Sequence, residues 1–150
     1  MSQTSSPALQ VAGLVKRFGQ KVAVAGIDLV VPTGSFFGLV GPNGAGKTTT
    51  LSMATGLLRP DAGGVWVHGV DVWGDPVAAK AMIGNLADGV RLFDRLTGEQ
   101  LITYTAMMFG IPRPEIAPRV ADLIALMDLT EAAGTIVADY SAGMTKKVAL

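Results

Sequence analysis

The sequence contains no cysteine among its 150 residues. Disulfides, thiol catalysis and cysteine-based zinc sites are excluded at once. A single histidine, His68, cannot build a histidine metal site by itself. Charge is scarce and balanced, with 12 Lys and Arg against 12 Asp and Glu. A chain so neutral lacks the basic surface that a nucleic acid or an anionic membrane demands. Long hydrophobic runs are missing as well. The longest nearly uncharged stretch, Leu101 to Pro112, is far short of the roughly 20 apolar residues that span a bilayer. The opening "MSQTSSPALQ" has no basic-then-apolar leader. Together these absences predict a cytosolic chain with no nucleic-acid partner and no direct membrane insertion, reaching a membrane only through another protein.

What is present is apolar. Hydrophobic residues make up 49% of the chain and charged residues 16%, enough for the core of one domain, or most of one, and for an interface besides. "LQVAGLVKRFG" and "VAVAGIDLVV", rich in Val and Leu and parted by a polar turn, read as two paired strands. "FFGLV", Phe36 to Val40, is short and apolar and suits a buried strand. "KTTTLSMATGLL" suits a helix ending near Gly56, and "GVWVHGVDVW" alternates as a strand or hairpin does. "PVAAKAM" reads as a short helix and "IGNL" as a short strand. The second half is helical. Leu101, Tyr104, Thr105 and Met108 fall at one helical spacing, and Ile116, Val120, Leu123, Ile124 and Met127 at another. Strands, loop, helix, strand and a helical block make an α/β chain with a helical insert.

Between Phe36–Val40 and the first helix lies "GPNGAGKTTT". Gly41, Gly46, Lys47 and Thr48 satisfy the pattern G-x-x-x-x-G-K-[ST]. The glycines let the backbone turn its N–H groups inward as a cradle for phosphate oxygens. The following helix aims the positive end of its dipole at the same place. Lys47 supplies a full charge to the outer phosphates, and Thr48 a hydroxyl of the kind magnesium prefers. A nucleotide-binding loop is the expectation.

"GLVGPNGAGKTTT", preceded by a glycine turn and two strands, resembles the nucleotide-binding domain of ABC transporters. A second marker, "DYSAGMTKKVAL", lies about 95 residues on and is similar to that family's signature, usually written LSGGQ. The resemblance runs from about Leu9 to Leu150. The YS-x-GM form and "LFDRLTGEQLI" look most like exporter ATPases, including those of drug resistance. It implies a P-loop NTPase fold of ABC type, with an N-terminal antiparallel β subdomain, a core at about 9–96 and 136–150, and a helical subdomain at about 97–135. It further implies ATP and Mg2+ as ligands, held by Gly41, Pro42, Asn43, Gly44, Ala45, Gly46, Lys47, Thr48 and Thr49. Phe18, in "KRFG", corresponds to the aromatic that stacks on adenine, unless it is simply a core phenylalanine.

By itself Ser141 is a good N-cap, and Gly143 lets the first turn of its helix approach another molecule closely. Such a helix start either is an anion site or binds nothing. In the family, Ser141, Ala142, Gly143 and Met144 would cap the ATP of a second domain in a head-to-tail dimer. That pair would dock on transmembrane permease subunits at the inner face of the cell membrane and power export.

Three departures qualify the resemblance. Asp88, in "IGNLADG", stands where the family places a glutamine; it either reaches the magnesium with one fewer methylene or has lost that contact. "RLF", Arg91 to Phe93, either meets the membrane subunit or packs on its own loop. The family's strand ending in the magnesium-anchoring Asp and catalytic Glu is expected after the signature helix, and Leu150 comes first. "LIALMD", Leu123 to Asp128, is not that strand, because its apolar residues repeat with helical spacing and Leu129 follows the aspartate. His68 is not the switch histidine either, since that residue follows the acidic pair. ATP binding without efficient hydrolysis is therefore expected, as in a fragment that lacks the Walker B strand. The alternatives are a non-catalytic nucleotide-binding module and, less favoured, a soluble ABC protein of translation or repair.

Overall fold

A computed structural model describes residues 6–86, 89 and 91–150. Asp88 lies outside the described residues. The chain divides into two compact units, Met1–Gly84 and Asn85–Leu150.

The first unit is built on a hairpin. Strands β1 (Leu9–Phe18) and β2 (Lys21–Val31) pair antiparallel across the two-residue turn Gly19–Gln20. Strand β3 (Ala62–Val67) pairs with the other edge of β1, and β4 (Val70–Asp71) closes the order β2-β1-β3-β4. In β1 the buried residues are Val11 and Leu14, three apart rather than two. The register shifts between them, where the Gly13 N–H donates to the Asp28 carboxylate at 2.7 Å. An extra residue in one strand turns the next side chain back to the same face, which a strict two-residue alternation cannot do. Helix α1 (Lys47–Ala54) then lays Met53 and Ala54 into a core with Val11, Leu14, Val24, Val65, Val67 and Val72. A short helix α2 (Pro76–Lys80) begins at Asp75, whose carboxylate accepts from the Ala78 N–H at 3.1 Å, and adds Ala79 to that core.

Two expected strands are not formed. Phe36–Val40 is irregular and open to solvent, with Phe36 wholly exposed and Val40 89% exposed. A buried central strand needs a hydrogen-bonded neighbour on each side and cover on both faces, and no described strand pairs with this run. Ile83–Leu86 is irregular for the same reason. The hairpin expected of "GVWVHGVDVW" is present as β3 and β4, with His68 exposed in its turn.

In the second unit, helix α3 (Gly98–Met108) starts with a reciprocal cap. Thr97 Oγ1 accepts from the Gln100 N–H at 3.2 Å, and Gln100 Oε1 accepts from the Thr97 N–H at 3.0 Å. Its inner face differs from the expected one. Leu101 is buried with Ile102 and Ala106 beside the core, whereas Tyr104 and Met108 are exposed. The apolar spacing permitted either face, and packing against helix α4 (Arg113–Leu126) selected this one. On α4, Ile116, Val120 and Ile124 are buried as expected and Leu123 is not. "LIALMD" is helical through Leu126, and Asp128 stands in the turn beyond with φ 53°. Helix α5 (Ala142–Ala149) leans Met144 and Val148 on both apolar clusters of the unit and leaves Lys146 and Lys147 in solvent.

Candidate functional site

The glycine loop runs from Gly41 into α1. Gly44 and Gly46 hold φ values of 82° and 89°, in the half of backbone space that other residues avoid. Gly46 is also the N-cap of α1 and lies against β2, so near that a Cβ added there would meet the Ala23 carbonyl oxygen at 2.4 Å. No side chain caps the helix among the described residues. Its first-turn N–H groups therefore point outward as donors, at the positive end of the helix dipole.

These groups border a hollow of about 340 Å³, lined by Asn43 to Thr49 with Phe18, Lys21 and Ala23. Lys47 Nζ donates to the carbonyls of Gly41 and Pro42 at 2.7 and 2.8 Å. Two of its three protons tie the start of the loop to the helix, and the third is available to an anion. Phe18, at the end of β1, is 52% exposed and is not a core residue. Among the expected residues of this region, the structure brings Phe18 and Asn43–Thr49 into one hollow, with Gly41 and Pro42 behind as acceptors for Lys47.

The hollow suits a polyphosphate with magnesium. Its donors are amides and ammonium groups, which take phosphate oxygens, and the Thr48 hydroxyl beside Lys47 is a hard oxygen of the type magnesium accepts. No cluster of three His, Cys, Asp or Glu occurs among the described residues, so a cation here would depend on the nucleotide's own oxygens for much of its coordination.

The signature stretch lies in the second unit. Ser141 is the N-cap of α5 and its Oγ accepts from the Met144 N–H at 3.3 Å. Ser141, Ala142 and Gly143 are exposed, and Met144 is half-buried. Tyr140 anchors the helix start from below, being 9% exposed with its hydroxyl donating to the Ala132 carbonyl at 2.8 Å. Gly98 makes room for that ring, since a Cβ there would collide with the Tyr140 hydroxyl. Burial pushes the Tyr140 phenol above its ordinary range, with the Gly98 N–H opposing in part. A phenol raised on folding is ionised first in the unfolded chain, so the stability it confers is lost as pH climbs above roughly 10. Tyr140→Phe is expected to cost about 1 kcal/mol at neutral pH and to flatten the alkaline decline. Urea melts of both proteins across pH 8 to 11 check this, and parallel declines would contradict it.

Phe93 is exposed and packs edge-on against Tyr104, ring centroids 5.4 Å apart, so the "RLF" loop does pack on its own unit. Sequence reasoning missed Lys21 and Ala23. Lys21 pairs directly with Phe18 across the Gly19–Gln20 turn, and that pairing is the signal that could have found it.

No helix among the described residues is long and apolar enough to cross a membrane. The sequence family described as ABC transporter matches residues 24–150. The linearmycin resistance ATP-binding protein LnrL of Bacillus subtilis (strain 168) is 34% identical over 140 residues, 93% of this chain and 45% of its own length. The daunorubicin/doxorubicin resistance ATP-binding protein DrrA of Streptomyces peucetius is 34% identical over 148 residues, 99% of this chain and 45% of its own. This chain thus spans about 45% of the length of these curated relatives. A solved ATP-binding subunit of an ABC transporter superposes with a TM-score of 0.80 at 27% identity, over 95% of this chain and 59% of that one. The expected ABC-type P-loop fold is therefore present in part, as the antiparallel sheet with its helices, and the chain belongs to the ABC transporter family, among the ATP-binding proteins of the drug-resistance and export type.

Proposed function

We propose that the chain binds Mg-ATP in the hollow formed by Gly41–Thr49 and contributes Ser141–Met144 to the nucleotide of a second such domain, so driving export through permease subunits. The observation that carries the reading is the uncapped start of α1, whose free N–H groups share a hollow with the ammonium of Lys47 and the ring of Phe18. The loop amides bind the phosphates, Lys47 neutralises them, Thr48 presents its hydroxyl to the magnesium, and Phe18 lies under the base. Bound magnesium supplies charge neutralisation on the phosphate oxygens.

In this reading, residues at about 9–96 and 136–150 form the nucleotide-binding core and those at about 97–135 the helical subdomain. Ser141 and Gly143 expose the start of α5 as a second anion-binding end, used by the partner domain's nucleotide. The assembly sits at the inner face of the membrane through its permease. No residue of this chain is assigned to the hydrolytic step. Titrating the protein with a fluorescent ATP analogue and Mg2+ is expected to give a saturable signal that unlabelled ATP displaces. Folded protein without such a signal would defeat the proposal.

A further inference from the structure

Strand β3 leaves β1 early. Its last pairing with β1 is Ala62 opposite Val15, yet β1 continues to Phe18, held from there only by β2, the outer strand of the sheet. The tip of a two-stranded ribbon is weakly held, and this tip carries both Phe18 and Lys21 to the nucleotide hollow.

Asp61 takes over where β3 stops. Its backbone N–H donates to the Val15 carbonyl at 2.9 Å, and its side chain extends the pairing outward. One carboxylate oxygen accepts from the Arg17 N–H at 2.7 Å, and the other from Lys16 Nζ at 2.8 Å. Lys16 Nζ also donates to the Arg59 carbonyl at 2.8 Å and lies 5.9 Å from the centroid of the Phe18 ring. The hydrogen bonds from Lys16 and then from the Arg17 N–H hold the Asp61 carboxyl below its ordinary range. A cation fixed against one face of a phenyl ring orients it.

We infer that Asp61 and Lys16 are positioning residues for the nucleotide base: together they splint the hairpin tip and set the Phe18 ring at the mouth of the hollow. This rests on the proposed reading that Phe18 stacks on the base. The splint acts on the base end of the ligand and leaves the phosphate loop, with its own bonds from Lys47, untouched.

Calorimetric titration of the 150-residue chain with Mg-ATP and, separately, with inorganic tripolyphosphate plus Mg2+ tests it. Phe18→Ala is expected to weaken Mg-ATP about tenfold and tripolyphosphate not at all, the usual scale of a lost base–aromatic stack. Asp61→Ala and Lys16→Met are each expected to weaken Mg-ATP about three- to fivefold with tripolyphosphate again unchanged, and neither should add to Phe18→Ala in a double variant. Equal losses for both ligands in Asp61→Ala and Lys16→Met would mark a merely structural role and overturn the inference, as would unchanged Mg-ATP affinity in both. If Phe18→Ala itself binds Mg-ATP normally, the stacking reading fails first and the splint with it.

Discussion

Lys47→Ala is expected to weaken Mg-ATP binding by about a hundredfold or more, while the first unit unfolds within about 1 kcal/mol of the parent. The binding loss follows from the position of the ammonium. Nζ is held at the loop by the carbonyls of Gly41 and Pro42, and it shares the lining of the hollow with Lys21 alone as a second ammonium. A hydrogen bond to a charged group contributes about 1.5–3 kcal/mol, and the attraction to a multiply charged phosphate tail adds to it. Lys21 comes from the hairpin and cannot take the same place, because its partner across the turn is Phe18. Stability should survive, since Gly41 and Pro42 are exposed and water replaces the lost donor at their carbonyls. Calorimetric titration beside a thermal melt measures both quantities. Near-parental affinity in a folded variant would mean that the ammonium does not act on the ligand.

The sequence shows some of this molecule plainly and some of it hardly at all, and the division is physical. Hairpin β1–β2 was legible from Val and Leu on either side of a glycine turn, because strand propensity and turn chemistry are local. Helix α4 was legible enough to reject "LIALMD" as a strand, because five apolar residues in helical register leave little choice of face. Phe36–Val40 was misjudged for the opposite reason. An apolar run is buried only if neighbours cover it, and a five-residue string does not name its neighbours. Tyr104 and Met108 were misplaced because α3 carries apolar residues on more than one face. At the site, Gly44, Gly46, Lys47 and Thr48 declare themselves by spacing, since the backbone of the loop does the work and its conformational demands are written in residue type. Asp61 does not. It reaches Lys16 across 45 residues of chain, and Ala23 joins the hollow with nothing but a methyl and a backbone carbonyl.

That carbonyl makes Gly46 the residue least open to change. Gly46→Ala is expected to destabilise the first unit by about 3 kcal/mol or more, lowering its melting midpoint by about 6–12 °C, and to remove nucleotide binding. Two costs combine. At φ 89° and ψ 6° an alanine is strained, by about 1–2 kcal/mol. Its Cβ would also meet the Ala23 oxygen at 2.4 Å and the Val24 Cγ2 at 3.4 Å. Neither atom can step aside cheaply, because the first is strand backbone and Val24 is 3% exposed in the core. The start of α1 must lift away from β2, and the N–H groups that line the hollow move with it. Gly44→Ala separates the two costs, since Gly44 has φ 82° but nothing within 4 Å of an added Cβ. It should lose only the strain, about 1–2 kcal/mol, and keep measurable binding. Equal melting midpoints for the two variants would show that strand and helix tolerate a methyl group between them, and that the cradle is held by loop conformation alone rather than by its seat on β2.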